Sequence, residues 1–318
     1  MFRISCDDHN RSLPDPGGVC PIVDVYPEVR LGERVIDTSS RSLIMGILNR
    51  TPDSFYDKGL TWNFDSFLRR AEQLVVDGAD LLDVGGVKAG PGDEVTEAME
   101  MDRVIPAIAA LVERFDTPIS VDTWRASVFA EACRQGAVVG NDISGFADPA
   151  YVLTAAEFGA SVVATHIRLA PRVPDPEPVY DDLVGDVTNF LLKRADAALS
   201  AGLAPNQVIL DCGLDLGKTP HMSAVLLAES AHFARLGFPL LLSASNKGVL
   251  GEIGAKRPVT DRRPESLAAT AWGAMLGCRV QRVHDVAGSR RVCDMVEALL
   301  QARDQCSTMF RHSGDRTH

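Results

Sequence analysis

The chain has 318 residues with 32 Lys+Arg against 43 Asp+Glu, a formal net charge of −11. Its 46% hydrophobic and 24% charged residues are globular proportions, which exclude a disordered chain, a collagen-like chain and a strongly basic nucleic-acid coat. An acidic protein repels phosphate in bulk, so any anion site must be built locally. No stretch approaches the ~18 to 20 consecutive apolar residues of a membrane helix, and the opening MFRISCDDHN lacks the apolar core of a secretory signal. The 7 cysteines form no CxxC pair. Cys133, Cys212, Cys278 and Cys293 lie in apolar or helical contexts and read as reduced, packed thiols. A cytoplasmic protein with no membrane or nucleic-acid partner is expected.

In chain order, residues 1–40 are rich in Pro, Gly and charge and read as an N-terminal arm. Residues 41–303 read as one barrel domain, and the polar residues 304–318 as a flexible C-terminal tail. Within the domain, short apolar runs end at Gly or a polar residue: Leu43–Leu48, Leu81–Val84, Ile119–Val121, Val138–Ile143, Val162–Thr165, Val208–Leu210, Leu240–Ser243 and Val280–Val283. Such runs suit parallel strands buried on both faces. Between them lie stretches of helical spacing. One starts at Asp65, with Phe67, Leu68, Ala71, Leu74 and Val75 on one face and Arg69, Arg70 and Glu72 on the other. Another starts at Thr96, with Glu100 one position beyond the usual capping-box place. WRASVFAEACRQGA, VYDDLVGDVTNFLLKRADAALSAG, MSAVLLAESAHFARLG, PESLAATAWGAMLG and Val292 to Leu300 complete the set. Eight strand–helix units over ~250 residues fit an α/β fold of the (β/α)8 TIM-barrel type. An open doubly wound sheet is less suited, because Gly46-Ile47-Leu48-Asn49 is not the Gly-rich phosphate loop such sheets carry after their first strand.

A barrel carries its chemistry at the C-terminal tips of its strands. Here the tips read Asn49, Asp83 with Gly85-Gly86, Asp122, Asn141-Asp142, His166, Asp211, Ser245 with Lys247, and Arg282 with His284. Carboxylates and amides come first, and Lys, Arg and His gather at the end. The grouping suggests a ligand with a planar, donor-rich end for Asp122, Asn141 and Asp211, and an anionic end for Lys247, Arg282 and His284. Plainer roles exist for several of them. Asp122 could cap the following helix, His166 could be a core histidine, and Asp83 could be a structural barrel residue.

At these tips the local words resemble the signatures of dihydropteroate synthases. MGILNRTPDSFYDKG at Met45–Gly59 is similar to the first, and DVGG at Asp83, ISVDT at Ile119, GNDISG at Gly140, ILDCGLDLGKT at Ile209, SASNKG at Ser243 and RVHDV at Arg282 follow in the family's order. The resemblance implies a dimeric barrel that joins 6-hydroxymethyl-7,8-dihydropterin pyrophosphate to p-aminobenzoate, releasing pyrophosphate. It further implies that Asp122, Asn141, Asp211 and Lys247 line a pterin pocket. Asn49, with Mg²⁺, would meet the pyrophosphate beside Arg282 and His284. The catalytic set so implied is Asp122, Lys247, Arg282 and His284, with the strand-tip Asp stabilising a pterin methylene cation while the leaving group is held.

The departures from the family pattern concentrate in a few loops. Where synthases usually read GGESTRPG, the chain has Gly85-Gly86-Val87-Lys88-Ala89-Gly90-Pro91-Gly92. The usual SRKS is Ser245-Asn246-Lys247-Gly248, and DPGIGFGK has become Asp211 through Lys218 with Leu214-Asp215-Leu216 inside it. Arg50 and Lys58 add charge to the first loop. The pterin floor is kept and the second-substrate loops are altered. The resemblance therefore points to an inactive or very weakly active paralogue that still binds a pterin or a p-aminobenzoate analogue. An active synthase with drifted loops is the alternative. A methyltetrahydrofolate-dependent methyltransferase fits Lys247 and RVHDV less well, and a bare adaptor would not be expected to keep its strand tips.

Overall fold

The computed structural model describes residues 28–51, 63–90, 92–253 and 256–314, with the side chains of 304–314 excepted. Eight parallel strands close a barrel: β3 (Leu43–Asn49), β4 (Leu81–Gly85), β5 (Ile119–Asp122), β6 (Val139–Asp142), β7 (Ser161–Thr165), β8 (Val208–Asp211), β9 (Leu240–Leu242) and β10 (Val280–Val283), with β10 pairing back onto β3. Each expected apolar run supplies one of them. The fold is the (β/α)8 barrel.

Among the described residues ten helices accompany the strands: α1 (Phe64–Val76), α2 (Glu97–Arg114), α3 (Ala126–Arg134), α4 (Ala150–Phe158), α5 (Leu183–Ser200), α6 (Pro220–Ala228), α7 (Ser230–Ala234), α8 (Gly248–Ile253), α9 (Arg263–Met275) and α10 (Val286–Gly314). Helix α1 buries Phe67, Ala71 and Leu74, and Asn63 caps it by accepting from the Ser66 amide. Thr96 caps α2 by accepting from the Met99 amide. Glu100 does not close a box. It is buried and pairs with Arg125, whose other nitrogen donates to the Val95 carbonyl. The alternating strand–helix pattern did not expose α4, because AYVLTAAEF is apolar nearly throughout and shows little helical contrast. The MSAVLLAESAHFARLG stretch divides at Glu229 into α6 and α7.

The last part of the expected arm has a defined fold. Residues Glu28–Leu31 (β1) and Arg34–Asp37 (β2) form an antiparallel hairpin. Val29 and Leu31, alternate residues on one face, are buried against Leu43, Met45, Leu81, Val139, Val163, Ile209, Leu241 and Val280 inside the barrel. The hairpin thus plugs the barrel floor, and burying these two side chains stabilises by roughly 3 to 6 kcal/mol. Residues 1–27 lie outside the described part. At the other end, α10 continues to Gly314 rather than stopping near Leu300, since RDQCSTMFRHS holds no Pro or Gly to end it. No helix among the described residues is long and apolar enough to cross a membrane.

Candidate functional site

The period-2 alternation of the strands sets a polar layer above the apolar floor. Two residues beyond Leu81 stands Asp83, two beyond Val280 stands Arg282, and Asn141 and Asp211 follow Val139 and Ile209 in the same way. Arg282 lies between two carboxylates, with Nε 2.7 Å from Asp83 and Nη2 2.6 Å from Asp122. Asp83, fully buried, also accepts from Ser120 Oγ at 2.6 Å and from Asn141 Nδ2 at 3.1 Å. Asp83 is therefore the hub that orients Arg282 and Asn141. Asp122 is not a helix cap: α3 opens at Arg125 with no capping side chain. Burial pushes the Asp122 carboxyl above the ordinary range, with Arg282 opposing and Asp83 adding to the rise. Desolvation works against the Arg282 charge, but Asp83 and Asp122 outweigh it and hold the guanidinium above its usual value.

Over this layer opens a cavity of about 220 Å³ at the C-terminal face, bringing together Asn49, Asp122, Lys247, Arg282 and His284. Ser245 shares two contacts with His284: its Oγ accepts from the His284 amide at 3.2 Å and lies 3.0 Å from ring Nδ1. Arg70 of α1 donates to the His284 carbonyl at 2.7 Å. Ser245 on Nδ1 and Arg70 on the carbonyl thus fix the His284 ring at the cavity wall. Lys247 Nζ donates to the Leu214 carbonyl at 2.8 Å, and burial lowers its pKa while Asp211 and Asp215 sustain its charge.

Asn141 and Asp211 are buried and do not line this cavity. Asn141 stands beside Asp122 in register, and Asp211 Oδ1 accepts from the Gly213 amide at 2.8 Å. Gly213 (φ 64) is required here, since a Cβ would sit 1.9 Å from the His166 carbonyl oxygen. That close approach belongs to a clamp absent from the sequence reading. Lys218 Nζ contacts His166 Nδ1 at 2.8 Å and the carbonyls of Gly213, Leu216 and His166 at 2.9, 3.0 and 3.3 Å. Burial pulls Lys218 down to about 7, whereas the surrounding lone pairs favour its ammonium form. Burial and the adjacent Lys218 push His166 down to about 3, so His166 is a neutral core histidine packed on Phe190. The GKT in the eighth-strand loop was the available signal for Lys218.

The altered loops meet at the same mouth. Lys88, Ala89 and Asn246 line the cavity. Arg50 does not: its guanidinium rests over the Phe64 and Phe67 rings at 5.2 and 5.4 Å. Lys58 lies outside the described residues. Asp215 has a structural task, accepting from the Val249 amide at 3.2 Å at the start of α8. No group of three or more His, Cys, Asp or Glu capable of holding a metal occurs among the described residues.

A family model for pterin binding enzymes matches residues 45–284, the span from the first strand of the barrel to the His284 tip. The chain belongs to this pterin-binding enzyme family. It is 42% identical over 276 residues to the "Inactive dihydropteroate synthase 2" of Mycobacterium tuberculosis, covering 85% of this chain and 86% of that protein. It is 38% identical over 280 residues to the dihydropteroate synthase of Bacillus subtilis, covering 87% and 95%. A crystal structure of the Yersinia pestis dihydropteroate synthase with a sulfonamide drug superposes with a TM-score of 0.81 at 36% identity, covering 86% of this chain and 98% of that one. The barrel is thus that of a diverged member of the dihydropteroate synthase group.

Proposed function

We propose that this dihydropteroate synthase-like chain binds pterin-type ligands and makes little or no dihydropteroate. One observation carries the reading. Asn49, Asp122, Lys247, Arg282 and His284 share a single cavity, while the loop side of that cavity presents Lys88, Ala89 and Asn246 in place of the family's Ser-Thr-Arg and second Arg. The likeness to the mycobacterial protein named inactive supports the same conclusion.

In this reading Asp122, Asn141, Asp211 and Lys247 serve the pterin end, Asp122 and Lys247 from the cavity wall and Asn141 and Asp211 from the buried layer behind it. Asp122 and Asn141 are neighbours in register, and Asp211 lies near enough to Lys247 to favour its charge. Arg282, His284 and Asn49 serve the pyrophosphate end. An incoming phosphate competes for the Arg282 fork, releasing Asp122 to accept a pterin N–H. Lys247 neutralises charge between the two ends, so these residues can bind and polarise a pterin pyrophosphate. A Lys88 ammonium does not reproduce a bidentate Arg. Two lost charge-assisted contacts at ~1.5 to 3 kcal/mol each correspond to roughly two to four decades in rate.

Asn49 contributes one amide oxygen, a hard donor that suits a Mg²⁺ ion arriving with pyrophosphate oxygens and its own waters rather than a resident ion. When bound, that ion would neutralise the leaving group. The apolar surface of Trp272 on α9 and of Met295 and Leu299 on α10, 43%, 62% and 62% exposed, supports a homodimer through these helices. The free, buried Cys212, Cys278 and Cys293 suit a reducing cytoplasm.

The test is to combine the purified protein with Mg²⁺, 6-hydroxymethyl-7,8-dihydropterin pyrophosphate and p-aminobenzoate and to follow dihydropteroate. Pterin binding without measurable turnover is expected. Turnover near ~1 s⁻¹, the low end of ordinary enzyme rates, would establish the active-synthase alternative instead.

A further inference from the structure

A second cavity of about 160 Å³ adjoins the first and shares Ala89 with it. It lies between the β4 loop (Ala89, Gly90), the β7 loop (Leu169 to Asp175) and the β8 loop (Asp215 to Lys218). Three contacts keep it open. Arg172 donates to the Asp93 carbonyl and so ties the β7 loop to the β4 loop. Arg168 forms a two-pronged pair with Asp175 at 2.5 and 2.6 Å. Lys218 joins the β8 loop to His166 at the end of β7. Gly90 leaves room at the junction: a Cβ there would meet only Lys88 Cε, at 3.9 Å.

The walls divide by chemistry. Ile167, Leu169, Val173 and Leu216 offer an apolar surface, and about 150 Å³ of such space holds one benzene-sized ring. Among the charged groups, Asp175 is neutralised by Arg168, Asp215 holds the start of α8, and Lys218 is surrounded by acceptors. Arg172 is different. Its single hydrogen-bond partner among the described residues is the Asp93 carbonyl, which leaves most of its five N–H donors for a ligand. Its backbone is left-handed (φ 67), an unfavourable state for Arg that the loop nevertheless holds. An apolar slot ending at an open guanidinium suits an aromatic ring that carries an acidic tail beyond it.

We propose that the two cavities form one elongated site for a pterin–arylamide conjugate with an acidic tail. The pterin head sits in the first cavity, the aryl ring passes Ala89 and Gly90, and the tail carboxylate pairs with Arg172. The chain is then a receptor for a completed conjugate rather than for a separate arylamine. The proposal rests on the pterin reading above.

Equilibrium binding of three probes by intrinsic fluorescence or calorimetry tests it: 6-hydroxymethylpterin (head alone), pteroate (head and ring) and pteroylglutamate (head, ring and acidic tail). Pteroylglutamate is expected to bind about ten-fold or more tightly than pteroate, the least a charge-assisted contact supplies. Arg172→Gln should remove that gain and leave 6-hydroxymethylpterin unchanged, and Arg172→Lys should restore part of it. Val173→Glu, at an exposed position that folding does not depend on, should also remove the gain. Equal affinities for pteroate and pteroylglutamate, or a gain that survives both Arg172→Gln and Val173→Glu, overturns the elongated site while leaving pterin binding intact. Failure of all three probes to bind overturns the pterin reading and this one together.

Discussion

Arg282 is both counter-ion of the barrel interior and the expected anion receptor, and replacing it by Met separates these tasks. In Arg282→Met the shape is nearly kept, but Asp83 and Asp122 face each other without the guanidinium 2.7 and 2.6 Å away. Asp83 is fully buried, and the Asp122 side chain is 16% exposed. Removing one partner of such a pair costs about 3 to 5 kcal/mol. The cost depends on pH with a definite sign. Burial already raises Asp122, and losing Arg282, the charge that opposes this rise, lifts its folded-state value further above the unfolded one. A raised acid favours its protonated form in the fold. The penalty is therefore complete above the raised folded value of Asp122, shrinks as pH falls through it, and is gone below the unfolded value near ~3.9. Urea unfolding of wild type and variant, each compared at pH 7.5 and pH 5, measures it. A loss of about 3 to 5 kcal/mol at pH 7.5 should fall to roughly half or less at pH 5, and adding Asp83→Asn should return part of it. A loss below ~1 kcal/mol at pH 7.5, or one equal at both pH values, refutes the counter-ion argument.

Four further outcomes follow from particular contacts. Ala89→Thr with Gly90→Arg should raise dihydropteroate formation by roughly one to two decades, one restored charge-assisted contact; unchanged turnover would show that the β4 loop is not the deficit. Asn246→Arg should add less than Gly90→Arg, because Asn246 sits at φ 60, where a longer side chain costs about 1 to 2 kcal/mol; full additivity in the same assay would contradict this. His166 should remain neutral throughout NMR titration down to about pH 5, since burial and Lys218 hold it down to about 3; a midpoint near the ordinary ~6.5 would mean the Lys218 clamp does not form. Leu31→Ala, in the floor plug, should cost about 2 to 5 kcal/mol of unfolding free energy, whereas a loose arm would lose almost nothing.

The barrel was legible because parallel strands buried on both faces must be continuous apolar runs, and a run such as Ile119–Val121 admits few other readings. Helix α4 was not, since a helix covered on most sides loses the polar face that reveals its period. The hairpin Glu28–Asp37 was hidden for another reason. Its short strands carry only Val29 and Leu31 inward, too few to stand out in a Pro- and charge-rich segment, and their burial depends on the open floor of a barrel formed by residues far along the chain.

The site divides along the same line. The chain by itself determined which polar groups stand at the strand tips, because alternation along each strand dictates which residues reach the lumen. Asn49, Asp122, Arg282 and His284 follow from that rule, Lys247 lies in the loop after β9, and the cavity gathers all of them. Only the tertiary structure decided how they are paired. It put Arg282 between Asp83 and Asp122, gave Asp83 its hub of Ser120 and Asn141, set Ser245 against His284, and turned Arg50 onto phenyl rings instead of into the cavity. It also opened the second cavity at Arg172, in a loop whose residues follow no strand period. Pairings across a barrel join residues far apart in the chain, Asp83 and Arg282 by 199 positions, and such partners become neighbours only when the sheet closes.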